Sequence, residues 1–508
     1  MVSGKVYLVG AGPGDPGLIT VKGRNAIQTA DVVLYDRLCS PRLLAFAPSG
    51  AELIYSGKTP DQHTLPQEEI NRLLAEYAKQ GKTVVRLKGG DPSVFGRVGE
   101  EMEHLAEHGI EYEVIPGVSS AIGVPIYAGI PVTYRGVASS FAVVTGHEDP
   151  AKGTVSVDWE RVAVGSDTLI FLMGVGRIAS IADNLIRYGR PADTPVALTR
   201  WGTWAEQETL TGTLSDIAEK VEQANFRNPA VIVVGDVVRL RDKIAWFEKK
   251  PLFGKRVMIT RARTQASELA RLIEEQGGES YEFPVIRLVP PSDWGPVDHA
   301  LHNLETFDWI VFTSVNGVEF FFGRMLEMEI DVRRIRGKIA SVGATTEEAL
   351  RQRGLIADLI PQQFVGEALF EELASHVRSG QKVLLPRADI ARKALPEALR
   401  QIGCKVVEVD VYENVPVFEH AQEALQMLSD GDIHAITFTS SSTVKNFVKI
   451  LEGEDLHSLL QRVTIASIGP ITTETAEKMG LRVDVTAETH TIQGLVEALI
   501  AHEQRNSF

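Results

Sequence analysis

Two glycine-rich segments carry the residue types and spacings best suited to bind a small molecule. The first, residues 9–17 (VGAGPGDPG), contains the pattern G-x-G-x-x-G, and Asp36 follows its last glycine by 19 positions. That spacing is typical of loops that hold the pyrophosphate of a dinucleotide. Pro13 and Pro16 weaken this interpretation, because proline lacks the N–H group that a phosphate cradle donates. On this segment alone a dinucleotide site stays open as an alternative.

The second segment, residues 84–101 (VVRLKGGDPSVFGRVGEE), runs from a strand-like stretch into Gly89, Gly90 and Asp91. A glycine pair lets the backbone approach a ligand closely. The carboxylate of Asp91 can accept a hydrogen bond from a cationic amine. We therefore expect this segment to suit a zwitterion better than a diphosphate.

Short apolar runs, which are typical of strands, recur through the first half of the chain. We expect these strands to position the two glycine-rich segments. The runs are KVYLVG, DVVLYD, TVVRLKGGD, EYEVIPGV, FAVVTG, TLIFLMG and AVIVVGDVV. Helix-like stretches alternate with them, such as residues 66–80, in which Ile70, Leu73, Leu74 and Tyr77 follow helical spacing. The alternation predicts an α/β protein with largely parallel sheets, in which ligands bind at the carboxyl ends of strands.

The second half of the chain contains an internal repeat. A charged stretch with a proline and a glycine, residues 248–254, is typical of a linker. Beyond it, RVMITRA at 256–262 matches KVLLPRA at 382–388, and FTSVNGV at 312–318 matches FTSSSTV at 438–444, each at an offset of 126. The repeat predicts a duplicated α/β unit, whose two lobes would enclose a cleft.

Composition excludes several classes of function. The 508 residues carry a net charge of −15, without the basic excess of a nucleic-acid binder. No apolar run approaches the ~18 residues that a membrane span needs, and no secretory signal is visible. Cys39 and Cys404 lie far apart, so we expect neither a disulfide framework nor a metal site. The composition therefore predicts a cytoplasmic protein that works without a metal, a membrane or a nucleic acid.

Eight segments of the first 245 residues occur in an order that is itself informative. They are VGAGPGD, YDRL, RLKGGDPSVFGR, IPGVSSA, AGIPVTYRG, TGHE, FLMG and NPAVIVVG. Together they resemble the tetrapyrrole methylases, and most closely the uroporphyrinogen-III C-methyltransferases. The resemblance implies a two-domain α/β enzyme that binds S-adenosylmethionine in the cleft between its domains, methylates uroporphyrinogen III twice to precorrin-2, and forms a homodimer. The first glycine loop would then shape the methyl-donor site.

The same resemblance assigns roles to individual residues. Asp36 is the candidate base for a ring proton and Lys58 is the candidate acid, with a turn cap and a solvated lysine as the alternatives. The residues that would line the methyl-donor site are Pro13, Gly89, Gly90, Asp91, Val94, Ser119, Ser120, Met173, Gly202 and Ala230. The residues that would contact the carboxylates of the substrate are Arg37, Arg97, Arg135 and His147.

Simpler structural roles compete with these assignments. Glycines also serve plain turn geometry, methionine also fills cores, and arginines are often merely exposed. Ser119 stands where the family has threonine and keeps the hydroxyl, so the methyl-donor site is little affected. Tyr134 stands where the family has histidine, which puts the substrate contact there in question.

The second half, residues 255–508, resembles the uroporphyrinogen-III synthases. The motifs are TRA, FTSVNGV, SVGATTEEAL, LLPRADIAR, VDVYENVP, FTSSSTV and IGPITTETA. The resemblance implies closure of hydroxymethylbilane to uroporphyrinogen III, with Tyr412 as the candidate proton donor or orienting group. The residues that would hold substrate carboxylates, or merely cap helices, are Thr313, Ser314, Ser440 and Ser441. Arg261 and Arg387 occupy equivalent positions of the repeat.

The sequence therefore predicts an α/β protein made of an N-terminal two-domain tetrapyrrole methylase fold and a C-terminal two-lobed, duplicated α/β synthase fold. The predicted bounds are 1–247 for the methylase (subdomains of about 1–117 and 118–247), 248–254 for the linker and 255–508 for the synthase (lobes of about 255–287 with 413–508, and 288–412).

The leading hypothesis is a bifunctional enzyme that acts on tetrapyrroles on the way to sirohaem or cobalamin. One alternative keeps the methylase and makes the second half a ligand-binding module without catalysis. The other is a dinucleotide-dependent dehydrogenase joined to such a module.

Overall fold

A computed structural model describes residues 4–57, 65–146, 157–261, 263–361, 366–388 and 393–506. Lys58 and His147, two of the predicted site residues, lie outside these ranges. Within the described ranges, no helix has the length and the apolar character required to cross a bilayer.

The chain divides into two compact units. The first comprises Met1–Val257, Arg271–Ser280 and Ile500–Phe508, and the second comprises Met258–Ala270 and Tyr281–Leu499. Leu252 is fully buried, so the predicted linker is not simply an exposed connection. The domain bounds predicted at 247 and 255 stay predictions.

The first sheet of the N-terminal unit has five parallel strands in the order β3-β2-β4-β1-β5. Its strands are β1 (Lys5–Gly10), β2 (Val32–Tyr35), β3 (Glu52–Tyr55), β4 (Val84–Lys88) and β5 (Glu111–Ile115). Helices α1 (Val21–Gln28), α2 (Pro41–Leu44), α3 (Gln67–Lys79) and α4 (Val98–Glu107) connect them. All five residues of β4 are buried, including the charged Arg86 and Lys88.

Apolar residues of this sheet pack on both of its faces. Val84 belongs to a cluster with Leu8 and Leu34, whereas the next residue along β4, Val85, belongs to a separate cluster with Val33. Successive side chains of a strand point to opposite faces, and a parallel sheet is covered by helices on both. That burial explains why the strands of this sheet read as continuous apolar runs.

The second sheet has the order β6-β7-β10-β8-β9 and is mixed. Its strands are β6 (Phe141–Thr145), β7 (Thr168–Leu172), β8 (Pro195–Arg200), β9 (Glu208–Thr213) and β10 (Ala230–Val234), and its helices are α5 (Ser120–Tyr127), α6 (Trp159–Gly165), α7 (Ile178–Arg187), α8 (Ile217–Gln223) and α9 (Arg241–Ile244). Only β6 and β7 pair in parallel. The short connection between β8 and β9 accounts for their antiparallel pairing, because parallel neighbours need a longer crossover. The expectation of largely parallel sheets therefore fails here.

The C-terminal half contains two further five-stranded sheets, with the orders β12-β11-β18-β19-β20 and β13-β17-β16-β14-β15. The strands are β11 (Arg256–Ile259), β12 (Glu279–Glu282), β13 (Ile286–Val289), β14 (Trp309–Phe312), β15 (Lys338–Ser341), β16 (Lys382–Ala388), β17 (Lys405–Pro416), β18 (Ala435–Phe438), β19 (Thr464–Ser467) and β20 (Val485–Thr486). The helices are α10 (Arg263–Glu275), α11 (Gly295–His302), α12 (Val315–Glu327), α13 (Ala344–Arg351), α14 (Gly366–Ala374), α15 (Ala394–Gln401), α16 (Ala421–Asp430), α17 (Ser441–Ile450), α18 (Leu456–Leu459), α19 (Pro470–Lys478) and α20 (Ile492–Asn506).

The elements of this half repeat at the offset that the sequence predicts. Strands β14 and β18, strands β15 and β19, and helices α12 and α17 each begin 126 residues apart. Equivalent strands also occupy equivalent places, since β12-β11-β18-β19 in one sheet corresponds to β17-β16-β14-β15 in the other. The α/β class and the duplicated second half are therefore confirmed.

Candidate active site

A cavity of 640 Å³ opens where strands of the two N-terminal sheets end. Pro13, Asp36 and Gly89 line it just beyond β1, β2 and β4, and Met173 and Gly202 line it beyond β7 and β8. Small-molecule sites typically measure ~300–1,000 Å³ and lie at such strand ends. The first unit therefore contains a cavity suited to a small ligand.

Most of the residues predicted for the methylase site meet at this cavity. Those that line it are Pro13, Asp36, Gly89, Gly90, Val94, Arg97, Ser120, Met173, Gly202 and Ala230. Those that do not line it are Arg37, Asp91, Ser119 and Arg135. The roles assigned to these residues stay predictions, as do those of Lys58 and His147.

The first glycine loop uses its backbone groups within the protein. Gly12, at a φ of +78°, forms a bridge with Gly90, with N–H to O distances of 3.2 and 2.7 Å. The Asp15 N–H donates to Thr203 Oγ1 at 2.9 Å, and the Gly17 N–H donates to Asp15 Oδ1 at 2.7 Å. Because these groups are already bonded and Pro13 has none to offer, the loop is not built as a pyrophosphate cradle.

Asp36 directly follows strand β2 and faces the cavity. Its carboxylate accepts hydrogen bonds from the Leu38 N–H at 2.9 Å and from the Gly89 N–H at 3.3 Å. The Cys39 thiol donates to the same carboxylate at 3.4 Å, and burial, followed by the charge of Asp36, raises the pKa of that thiol well above its ordinary value. The capping role and the ligand-facing position that compete in the sequence therefore coexist in the structure.

The carboxylate of Asp91 accepts hydrogen bonds from backbone N–H groups of the surrounding loops. Oδ1 accepts a hydrogen bond from the Ser93 N–H at 2.8 Å, and Oδ2 accepts one from the Gly117 N–H at 2.9 Å. Ser119 likewise caps helix α5, because its Oγ accepts a hydrogen bond from the Ala121 N–H at 3.3 Å. Both side chains fix the shape of the loops beside the cavity.

The three predicted substrate arginines differ in environment. Arg97 pairs with Glu100, with an Nη2 to Oε2 distance of 2.7 Å, and this hydrogen bond raises the pKa of the guanidinium. Arg37 lies 5.8 Å from the centre of the Trp201 ring, within cation–π range. Arg135 is exposed. Of the three, Arg97 alone lines the cavity.

The backbone around the cavity is strained. Of the eight non-glycine residues with positive φ in the described part of the chain, four line this cavity: Phe95, Arg97, Met173 and Trp201. Such conformations cost about 1–3 kcal/mol each and cluster at functional sites. Their concentration here is independent of the sequence motifs and supports a functional role for this cavity.

Several lining residues are absent from the sequence-based prediction. They are Leu38, Gln67, Arg86, Lys88, Phe95, Gly96, Val124, Leu172, Thr199, Trp201, Trp204, Asn228, Pro229 and Val231. Arg86 and Lys88 interrupt an otherwise apolar strand, VVRLK. Charged residues in a buried strand are uncommon, so this interruption is the signal that could have identified them.

In the C-terminal half, the structure brings two predicted residues together. The Tyr412 hydroxyl lies 3.3 Å from Ser314 Oγ, and the Tyr412 ring stacks on Phe320 with a 5.4 Å separation of ring centres. Ser314 also caps helix α12, because its Oγ accepts a hydrogen bond from the Gly317 N–H at 3.0 Å. Tyr412 is therefore a buried phenol with a hydroxyl neighbour.

The equivalent position in the other repeat is also a helix cap. Ser440 Oγ accepts a hydrogen bond from the Thr443 N–H at 3.3 Å, and Ser441 Oγ lies 2.8 Å from Thr475 Oγ1. Thr313 precedes Ser314 at the end of strand β14. Capping is thus present at both serines that begin helices, and their binding of substrate stays a prediction.

The two equivalent arginines of the repeat, Arg261 and Arg387, are described by their burial and, for Arg387, by its hydrogen bond. Arg387 Nη1 donates to Glu408 Oε2 at 2.8 Å, and its side chain is buried. Burial lowers the pKa of Arg261.

Comparisons with known proteins match both halves. Residues 5–218 match the family of Tetrapyrrole (Corrin/Porphyrin) Methylases, and residues 267–497 match Uroporphyrinogen-III synthase HemD. Porphyrin biosynthesis protein HemD of Ruminiclostridium josui is 38% identical over 501 residues, covering 98% of each chain. A uroporphyrinogen-III C-methyltransferase of Bacillus subtilis is 45% identical over 361 residues, covering 71% of this chain and 74% of that protein.

A solved structure also matches. The uroporphyrin-III C-methyl transferase of Thermus thermophilus, complexed with S-adenyl homocysteine, is 43% identical, with a TM-score of 0.41. The match covers 47% of this chain and 100% of that one.

The glycine-lined cavity and the duplicated second half define a two-part α/β enzyme with a small-molecule cavity in its N-terminal half. The chain belongs to the tetrapyrrole methylases through its N-terminal half and to the uroporphyrinogen-III synthases through its C-terminal half. The predicted resemblance is confirmed in both halves, and the dehydrogenase alternative is wrong.

Proposed function

We propose that this chain is a bifunctional enzyme of tetrapyrrole synthesis. Its C-terminal half cyclises hydroxymethylbilane to uroporphyrinogen III, and its N-terminal half transfers two methyl groups from S-adenosylmethionine to that product, giving precorrin-2. The observation that carries the proposal is the succession of both family matches along one chain, together with a 38%-identical relative aligned over 98% of its length.

The N-terminal cavity fits S-adenosylmethionine in size and chemistry. Its 640 Å³ are bounded mainly by apolar side chains such as Val94 and Met173 and by backbone at Gly90 and Ala230, with a few polar groups such as the Ser120 hydroxyl. A mostly apolar wall with a few oriented polar groups suits a nucleoside. When bound, S-adenosylmethionine supplies a methyl group on a positively charged sulfur.

Tight glycine packing sets the shape of this cavity. A Cβ atom added at Gly202 would lie 2.3 Å from Val124 Cγ1, and one added at Gly89 would lie 2.7 Å from Leu38 Cβ. Gly90 has a φ of +69°, which a residue with a side chain rarely adopts. These glycines therefore allow the cavity wall to be backbone where a side chain would have no room.

Alignment and proton removal are the tasks of the protein in methyl transfer to carbon. Holding two reactants in line removes much of the entropic barrier of the displacement. The ring that gains a carbon substituent must also lose a proton, which calls for a base. Asp36 faces the cavity as a carboxylate held by two backbone N–H groups, and we assign it this role.

Cyclisation in the C-terminal half requires loss of a hydroxyl group from an electron-rich pyrrole chain. A proton delivered to the leaving oxygen and an enforced geometry are sufficient for this step. Tyr412 is our candidate donor, because its hydroxyl has Ser314 Oγ as a neighbour at 3.3 Å and its ring is fixed by stacking on Phe320.

We also propose that the protein works in the cytoplasm. We further propose that it forms a homodimer through its methylase half. Ile122 and Ile126, one turn apart on α5, are 48% and 41% exposed, and Trp246 donates from Nε1 to the Ile126 carbonyl at 3.0 Å. Exposed neighbouring apolar side chains are typical of a protein interface. Sedimentation of the full chain should give a dimer, and Ile126→Glu should give a monomer; a monomeric wild type would contradict the dimer.

Supplying each half with its own substrate tests the two activities separately. The full chain should convert uroporphyrinogen III to a dimethylated product with S-adenosylmethionine, and should form the type III macrocycle from hydroxymethylbilane without it. Methylation without cyclisation would leave the C-terminal half as a non-catalytic module.

A further inference from the structure

Strand β4 brings two cations to the wall of the N-terminal cavity. Arg86 and Lys88 are separated by one residue, so their side chains project from the same face of the strand. They are 5% and 4% exposed, and both line the cavity. Buried lysines and arginines are rare unless something pairs with them.

One buried carboxylate neutralises only part of this charge. Glu101 Oε1 lies 2.6 Å from Lys88 Nζ and 3.5 Å from Arg86 Nε, and the Gln67 amide donates to the same oxygen at 3.1 Å. Arg86 Nη1 also donates to the carbonyl of Leu34 at 3.4 Å and to that of Leu87 at 3.1 Å. Two cations and one anion leave the cluster with a net positive charge.

The ammonium group of Lys88 has unused hydrogen-bonding capacity. Glu101 is the acceptor for Lys88 Nζ among the described residues, whereas an ammonium has three N–H donors. Burial, followed by the charge of Arg86, lowers the pKa of Lys88, which means that its charged form is poorly compensated. A second anion arriving from the cavity would compensate it.

We propose that Lys88, held in place by Arg86 and Glu101, binds one carboxylate of the tetrapyrrole substrate. This inference rests on the proposed methyltransferase function. Of the charged residues that line the described cavity, Arg86, Lys88 and Arg97 are cations and Asp36 is the anion. Glu100 and Glu101, which pair with these cations, do not line the cavity, so the charged groups that face a ligand are mainly cationic donors, which suit a carboxylate. S-adenosylmethionine carries two positive groups and one carboxylate and suits them less.

Steady-state kinetics of the full chain test the proposal. Lys88→Met removes the charge, Lys88→Gln removes the charge but keeps a donor for Glu101, and Lys88→Arg keeps the charge. Lys82→Met is a matched control, because Lys82 precedes the same strand and its Nζ lies 3.5 Å from Glu52 at the surface. Each variant is measured for the KM of uroporphyrinogen III, for kcat, for the Kd of S-adenosylhomocysteine and for its thermal midpoint.

We expect Lys88→Met and Lys88→Gln to raise the KM of uroporphyrinogen III about tenfold or more, which is the scale of a lost charge-assisted hydrogen bond. The Kd of S-adenosylhomocysteine should stay within about twofold, and Lys82→Met should remain near wild type. Lys88→Arg, which keeps the charge, should have a lower KM than Lys88→Met. If Lys88→Met does not fold, Lys88→Gln gives the same comparison.

Three results would overturn the assignment. They are an unchanged KM in the neutral variants, a parallel loss of S-adenosylhomocysteine binding and thermal stability, and an Lys88→Arg variant as impaired as Lys88→Met. A wild-type chain that does not methylate uroporphyrinogen III would instead contradict the methyltransferase function itself, and with it the binding of a tetrapyrrole carboxylate by Lys88.

Discussion

Replacing Asp36 with asparagine separates its two roles. Asparagine keeps the size of the side chain and one acceptor oxygen, but it is not a base. In the structure the carboxylate accepts from the Leu38 and Gly89 N–H groups at 2.9 and 3.3 Å. An amide oxygen can serve one of these donors, and the amide nitrogen would face the other.

The two expected losses differ in size. One lost hydrogen bond lowers the free energy of unfolding by about 0.5–1.5 kcal/mol. Loss of the base lowers kcat by about 10²–10⁴, equivalent to roughly 3–5 kcal/mol in the barrier. Domains are typically stable by about 5–15 kcal/mol, so Asp36→Asn should stay folded while methylation nearly stops.

The assay is transfer of labelled methyl groups to uroporphyrinogen III, with urea unfolding and S-adenosylhomocysteine binding on the same sample. Asp31→Asn is the matched control, because Asp31 Oδ2 accepts from the Thr83 N–H at 2.7 Å but Asp31 does not line the cavity. The control should lose similar stability and keep kcat.

An Asp36→Asn enzyme with kcat within about threefold of wild type would refute the assignment of Asp36 as the base. So would a loss of kcat matched by Asp31→Asn, because the effect would then follow from stability alone.

Three further outcomes are expected. Gly90→Ala should lower the free energy of unfolding by about 1–2 kcal/mol, because Gly90 has a φ of +69°, which alanine adopts only with strain. Urea unfolding measures this loss of stability, and an unchanged midpoint would contradict the backbone conformation of Gly90. Tyr412→Phe should slow cyclisation of hydroxymethylbilane by about 100-fold or more and leave methylation of added uroporphyrinogen III unchanged. If the variant and the wild type cyclise hydroxymethylbilane at equal rates, Tyr412 is not the proton donor. S-adenosylhomocysteine at 100 times its Kd should raise the free energy of unfolding of the N-terminal unit by about 2.7 kcal/mol, whereas NAD should not change it. Thermal unfolding measures both effects, and stabilisation by NAD would support a dinucleotide site instead.

Local patterns predict the strands, the helices and the repeat of this chain well. Strand β4 reads as an apolar run because it is buried on both faces, and the repeat survives in the sequence because equivalent strand ends, such as those before Ser314 and Ser440, keep similar residues. The mixed second sheet is not predictable in this way. Strand direction depends on which distant segments pair, and β7 pairs with β10 although β8 and β9 lie between them in the chain.

The candidate site shows the same division. Glycines at strand ends locate the cavity, since ligands bind where parallel strands end. The apolar run VVRLK marks Arg86 and Lys88 as unusual, but the sequence does not reveal what pairs with them, because Glu101 lies on a different element and meets them only after folding. Nor does it reveal the positive φ of Met173 and Trp201, which the surrounding structure imposes.

The most direct test of the account is to give the purified full chain hydroxymethylbilane and S-adenosylmethionine as its only substrates. The account predicts a dimethylated type III tetrapyrrole, whose formation needs both compounds and is lost in Asp36→Asn. Accumulation of unmethylated tetrapyrrole would contradict the methylase assignment, and failure to form the type III macrocycle would contradict the synthase assignment.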